Sequence, residues 1–203
     1  MTKNFSDSEL DALREFVNIS TAHSATALSK MVDKAIDVQV PQMRLVPVPD
    51  IPRLLGGADA QVVGLYFRIS GNMSGSMLIL FPKVTAQKLV ELLLAGIIDE
   101  EALEFKGIEK SALMELGNVL TNSYLNALAE LLNIRLLLSV PHYAEDELGS
   151  VMDLLLIELV EAADYALMMG TTITLEGTNL AGHIIMFPDN VSLDMMLNKI
   201  GTH

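Results

Sequence analysis

Residues 11–20 read DALREFVNIS and residues 111–120 read SALMELGNVL. The first stretch places Asp11, Glu15 and Asn18, and the second places Ser111, Glu115 and Asn118. In both, 22 residues separate the asparagine from a proline, Pro41 or Pro141. Residues three and four apart share a face of a helix with about 3.6 residues per turn. Each stretch therefore lines up a hydroxyl or carboxylate, a glutamate and an asparagine in one row, and the chain carries that row twice.

Outward from the first row, Ser6 and Ser8 are good helix openers, and the spacing predicts a helix from about Ser8 to Val32. Leu10, Leu13, Val17, Leu28 and Met31 form its apolar stripe, and Asp33 and Lys34 end it. Ile36–Val48 reads as a strand with Pro41 at an edge or a bulge, and Asp50–Leu55 as a short helix. Gln61–Ile69 and Ser74–Phe81 read as a hairpin turning at Ser70–Asn72, followed by a helix over Thr85–Leu94 that stops at Gly96. Asp99–Phe105 reads as a polar, acidic connection or a short helix.

The order then starts again. Leu113, Leu116, Leu120, Tyr124, Leu128 and Leu131 recur at three and four residues, which predicts a helix over Glu109–Leu132. A strand over Ile134–Val140, a helix over Glu145–Glu161, a hairpin of Tyr165–Leu175 with Leu180–Phe187, and a helix over Ser192–Ile200 stopped by Gly201 complete the prediction. LILFPK near Phe81-Pro82 matches HIIMFPD near Phe187-Pro188 at an offset of 106 residues. Self-similarity on this scale marks a duplicated unit. The expected fold is α+β: two pseudo-symmetric helix–strand–strand–strand–helix halves, residues 8–98 and 107–201, share one mainly antiparallel sheet with the motif helices on its face. Residues 1–203 are expected to form a single domain, since no Gly/Ser-rich linker parts the halves.

The 203 residues suffice for a sizeable core, and half of them are apolar. There is no cysteine, which excludes a disulfide scaffold, thiolate metal ligands and a thiol nucleophile, and fits a cytoplasmic protein. A formal net charge of −13 argues against nucleic acid and anionic membrane as partners. Acidic residues interrupt every apolar run well short of the roughly 20 residues needed to span a bilayer.

The repeated row limits the chemistry. An asparagine amide both donates and accepts, so it can hold a water in one orientation, yet it is no base. That suits phosphoryl transfer, in which positioning and charge outweigh proton abstraction. Glu15 and Glu115 are suited to pair with a cation on a partner. The rows lack metal ligands, an arginine for phosphate and a Gly-rich loop, so the remaining machinery must arrive with the substrate.

The pattern Asp/Ser-x3-Glu-x2-Asn-x22-Pro, present twice, resembles the CheC family of chemotaxis phosphatases, whose relatives include CheX and the flagellar switch protein FliY. ISTAHSATALSKM (residues 19–31) and ELGNVLTNSYLNALAELL (residues 115–132) are similar to the two signature helices of that family. The resemblance implies hydrolysis of the aspartyl phosphate on the phosphorylated response regulator CheY. It implies that Asn18 and Asn118 orient the attacking water and that Glu15 and Glu115 pair with a regulator lysine. Asp11 and Ser111 fall at motif positions that contact the partner. No cofactor is expected in this chain, because Mg²⁺ belongs to the regulator. A second implied partner is the receptor deamidase CheD, and an adaptor that binds CheY-phosphate or CheD without chemistry is the alternative reading. Val17 stands where the second copy has Gly117, and Ser20 and Ala22 stand where the family's first helix often has Gly. Extra bulk there is expected near the docking surface, which favours Glu115 and Asn118 over the first pair.

His23, His142, His183 and His203 have no metal-ligand spacing. Of the 12 methionines, Met168-Met169 read as core, whereas Met195, Met196, Leu197 and Ile200 are candidates for an exposed apolar face.

Overall fold

The computed structural model describes residues 7–95, 106–159 and 163–200. The predicted Asp99–Phe105 connection, the stops at Gly96 and Gly201, and His203 lie outside these residues.

Two long helices, α1 (Asp7–Val32) and α4 (Lys106–Leu132), carry the two rows. Both end in the same way. Asp33 and Asn133 take left-handed backbone conformations, with φ of 53° and 48°. The next amides, Lys34 and Ile134, donate back to the carbonyls of Ser29 and Ala129 at 3.3 and 3.0 Å. This is a helix-terminating motif that short Asp and Asn side chains tolerate.

Between and after them come β1 (Ile36–Pro47), a 3₁₀ turn at Val48–Asp50, α2 (Ile51–Leu54), β2 (Gln61–Gly71), β3 (Gly75–Pro82) and α3 (Lys83–Leu94). The second half adds β4 (Leu136–Leu138), β5 (His142–Glu147), α5 (Leu148–Leu159), β6 (Tyr165–Leu175), β7 (Thr178–Pro188) and α6 (Asn190–Ile200). All seven strands join one sheet in the order β1-β6-β7-β3-β2-β4, with β5 also on β2, and every pairing is antiparallel. The halves exchange their leading strands. First-half β1 pairs with β6, second-half β4 and β5 pair with β2, and β3 meets β7 at the seam.

Alternation along the strands sends side chains to two apolar layers. Val63, Leu65 and Phe67 face a layer built with Leu13, Leu116, Leu120 and Tyr124 of α1 and α4. Val62, Leu78 and Leu80 face a smaller layer closed by Ile51, Leu148 and Met152. With both faces covered, β2, β3, β6 and β7 read as nearly continuous apolar runs.

Several expectations are corrected. The predicted single strand over Ile134–Val140 is only Leu136–Leu138, and a further strand, β5, occupies the acidic stretch assigned to the start of a helix. β5 lies at the open edge of the sheet, where Asp and Glu remain solvated, so its sequence carries no strand-like alternation. Met31 is exposed and does not join the α1 stripe. Met196, Leu197 and Ile200 are buried in the main layer and Met195 is half-buried against it, so these four do not form an exposed apolar face. Val17 and Ser20 are buried as well, and the Ser20 hydroxyl donates to the Phe16 carbonyl at 2.7 Å. Both side chains pack against the core, and Val17 also forms part of the wall of a surface cavity beside Asn18. Pro41 does mark a bulge, because the β1–β6 register slips between Gln39 and Gln42.

Candidate functional site

The core side of α1 is set by Leu13, Phe16, Val17, Ser20, Ser24 and Leu28, all buried. Asp11, Glu15, Asn18 and Ala22 stand outward, the predicted row continued by one turn, with Arg14 and His23 exposed beside it. On α4 the burial of Leu113, Leu116, Gly117, Leu120 and Tyr124 leaves Ser111, Glu115 and Asn122 exposed, with Asn118 half-buried between them. Each row thus stands on solvent, held by a rigid helix whose other side is locked into the core. Phe16 of α1 meets Tyr124 of α4 edge to face, with ring centroids 6.0 Å apart.

The 22-residue spacing to proline acquires a structural meaning in the first half. The chain leaves α1, turns at Asp33 and returns along β1. Pro41 then lines the same cavity as Asn18, a space of about 390 Å³ shared with Arg14, Val17, Gln42 and Arg44. This cavity takes nothing from α4, so the two rows are not brought into one pocket.

The rows differ in their surroundings. Asp11 accepts from Arg14 at 2.8 Å, in an exposed pair one turn before Glu15. Exposed pairs of this kind are worth about 0–1 kcal/mol, so a partner can open it. Ser111 donates its hydroxyl to the Gly107 carbonyl at 2.8 Å. Asn122 donates through Nδ2 to the Asn118 backbone carbonyl at 2.8 Å and to the Asn118 side-chain oxygen at 3.0 Å. Asn122 was not singled out from the sequence, although its i, i+4 spacing from Asn118 was the available signal.

Gly117 explains how close α4 lies to the sheet. A Cβ at this position would sit 2.5 Å from Leu65 Cδ1. At the corresponding helix position of the other half stands Val17.

A second polar cluster lies away from both rows. A cavity of about 410 Å³ between α3, α4 and β5 is lined in part by Lys83, Glu109, Tyr143 and Glu145. Lys83 pairs with Glu145 at 2.9 Å, and the Tyr143 hydroxyl donates to Glu145 at 3.0 Å. The Lys83 and Tyr143 hydrogen bonds hold the Glu145 carboxyl below its ordinary range. Burial, then the Glu145 carboxylate, push the Tyr143 phenol up to about 12. Burial raises Tyr124 further still, with the Thr171 hydroxyl beside it but no well-formed hydrogen bond between them. Burial lowers His183. Among the described residues, no group of three or more His, Asp or Glu is placed to hold a metal ion. No helix among them is long and apolar enough to cross a membrane.

The CheC-like family pattern matches residues 9–43 and 108–142, each running from a motif helix to just past its proline. CheY-P phosphatase CheC of Bacillus subtilis is 33% identical over 198 residues, covering 96% of this chain and 95% of that protein. The fold matches FliY of Thermotoga maritima with a TM-score of 0.75 at 20% identity, covering 98% and 99% of the two chains. It also matches a chain in the CheX-CheY-BeF3-Mg²⁺ complex of Borrelia burgdorferi, with a TM-score of 0.51 at 15% identity over 86% of this chain and 98% of that one. With both motif segments matched and this identity extending over nearly its whole length, the chain belongs to the CheC-like family.

Proposed function

We propose that this protein hydrolyses the aspartyl phosphate of a phosphorylated CheY response regulator. The observation that carries the reading is the same outward Glu-and-Asn row on α1 and α4, in a chain 33% identical to a protein named CheY-P phosphatase. Each row lies on the outer side of a helix whose other side is locked into the core, and so is presented to a partner's site. Asn18 and Asn118 orient a water in line with the phosphorus. The water oxygen bonds to phosphorus, and the bond from phosphorus to the aspartyl oxygen breaks. The products are a free carboxylate and inorganic phosphate, which keeps both water protons. Glu15 and Glu115 fix the docked geometry by pairing with a regulator lysine, and Asp11 and Ser111 contact the partner at the edge of the row. The charge on the transferring group is met by Mg²⁺ held by the regulator. The contribution of this chain is orientation, the effect that matters most when little bond-making accompanies the transition state.

The test is phosphate release from phosphorylated CheY with wild type, Asn18→Ala, Asn118→Ala and the double variant. The double variant is expected to fall to the regulator's spontaneous rate while still binding it, and each single variant to retain the other row's share. A wild type that binds CheY-phosphate without accelerating phosphate release would replace the enzyme with an adaptor.

A further inference from the structure

The two asparagines proposed to orient water are not held alike. The Asn122 side chain lies 2.8 Å from the Asn118 backbone carbonyl, and only an NH₂ group can donate there. That fixes which end of the Asn122 amide faces Asn118. The same NH₂ lies 3.0 Å from the Asn118 side chain, so the atom it meets must be an acceptor, Asn118 Oδ1. The two protons of one NH₂ serve the two acceptors. The Asn118 carboxamide is thereby fixed in plane and in sense, leaving its own NH₂ and one lone pair of Oδ1 for a water. In the first half Ala22 stands at the corresponding place, so Asn18 obtains no such hold from the position four residues on.

We infer that Asn122 is a positioning residue that locks the Asn118 carboxamide for water orientation, so that the α4 row has a pre-ordered amide and the α1 row does not. The inference rests on the phosphatase reading of Asn118. An asparagine free to rotate must be ordered in each encounter, whereas one already held loses little further freedom. The lock acts on turnover and not on docking, because Asn122 touches Asn118 and the binding groups are elsewhere on the row.

Two measurements test it. In the full chain, side-chain ¹⁵N relaxation is expected to show an ordered Asn118 NH₂ and a mobile Asn18 NH₂. Asn122→Ala should lower Asn118 to the level of Asn18. Alanine is the better helix former, so α4 remains intact in that variant. In an Asn18→Ala background, which isolates the α4 row, Asn122→Ala is expected to lower kcat for CheY-phosphate by about tenfold with little change in KM. In an Asn118→Ala background, Ala22→Asn is expected to raise kcat of the α1 row. An Asn118 NH₂ as mobile as that of Asn18, or an unchanged kcat in Asn122→Ala, overturns the inference. Failure of the phosphatase reading itself would look different: wild type would add nothing to the spontaneous rate, whatever the relaxation of Asn118.

Discussion

Gly117 shows how a single missing methyl group positions a functional side chain. It precedes Asn118, and its lack of a side chain lets α4 settle onto Leu65 of β2. Gly117→Val, which copies the other half's Val17, is expected to cost about 2 kcal/mol through overpacking, read by urea unfolding. Adding Leu65→Thr, which shortens the side chain that a residue at 117 would strike, is expected to recover part of that loss; an additive or worse double variant would break the contact argument. The Tyr143–Glu145–Lys83 cluster gives a second residue-scale expectation. Lys83→Met removes the largest cause of the low Glu145 pKa, so the Glu145 titration followed by NMR should move upward. The folded pKa of Glu145 is depressed, so its contribution to stability is present above the unfolded pKa and lost as pH falls through the folded one. Tyr143 behaves oppositely. Its folded pKa is raised from 10.0 to about 12, so the stability it contributes is lost as pH rises through that window. At this scale the sequence disclosed the row residues, because they recur. It did not disclose that Ser20 faces inward, since a small polar residue beside a polar row fits either side of a helix. Asn122 was legible only as a spacing, because its role depends on a rotamer.

At the scale of elements, periodic segments were readable and edge segments were not. α4 announces itself through leucines at three- and four-residue steps, and the β6–β7 hairpin through the break in its apolar pattern at Glu176–Asn179, where the turn itself is only Glu176 and Gly177, both with positive φ, and β7 starts at Thr178. β5 was missed because His142–Glu147 is an edge strand paired only with β2, and nothing in its acidic composition demands a buried face. Pro41 was placed at an edge or bulge from its lack of an N–H, and it sits where the register slips on an edge strand. The matching left-handed stops at Asp33 and Asn133 are an element-scale feature with a direct test. Asn133→Ala is expected to destabilise by about 1 kcal/mol, whereas Asn133→Gly should be neutral or better, both read from denaturant midpoints. Equal losses for Ala and Gly would mean that the Asn side chain, not the backbone conformation, matters at this stop.

For the whole molecule, the controlling feature is the exchange of leading strands between halves. Each half supplies a helix and a hairpin to its own side, but its first strand completes the other's edge. Residues 1–100 and 101–203 expressed separately are therefore expected to lack cooperative unfolding, and to regain it when mixed, as followed by circular dichroism. A stable, cooperatively folding single half would show that the exchange is dispensable. The duplicated order of elements was legible because it repeats in sequence; the exchange was not, because strand partners leave no local mark. The same exchange has a consequence during synthesis. Ile36 pairs with Leu175, so β1 emerges from the ribosome long before the strand that covers it has been made. At roughly 5–20 residues per second, it waits on the order of ten seconds with its hydrogen-bonding edge bare. Asp37, Arg44 and the imino nitrogen of Pro41 lie along that waiting segment, and charge and proline are what discourage a nascent strand from zipping onto the neighbouring chain of a polysome.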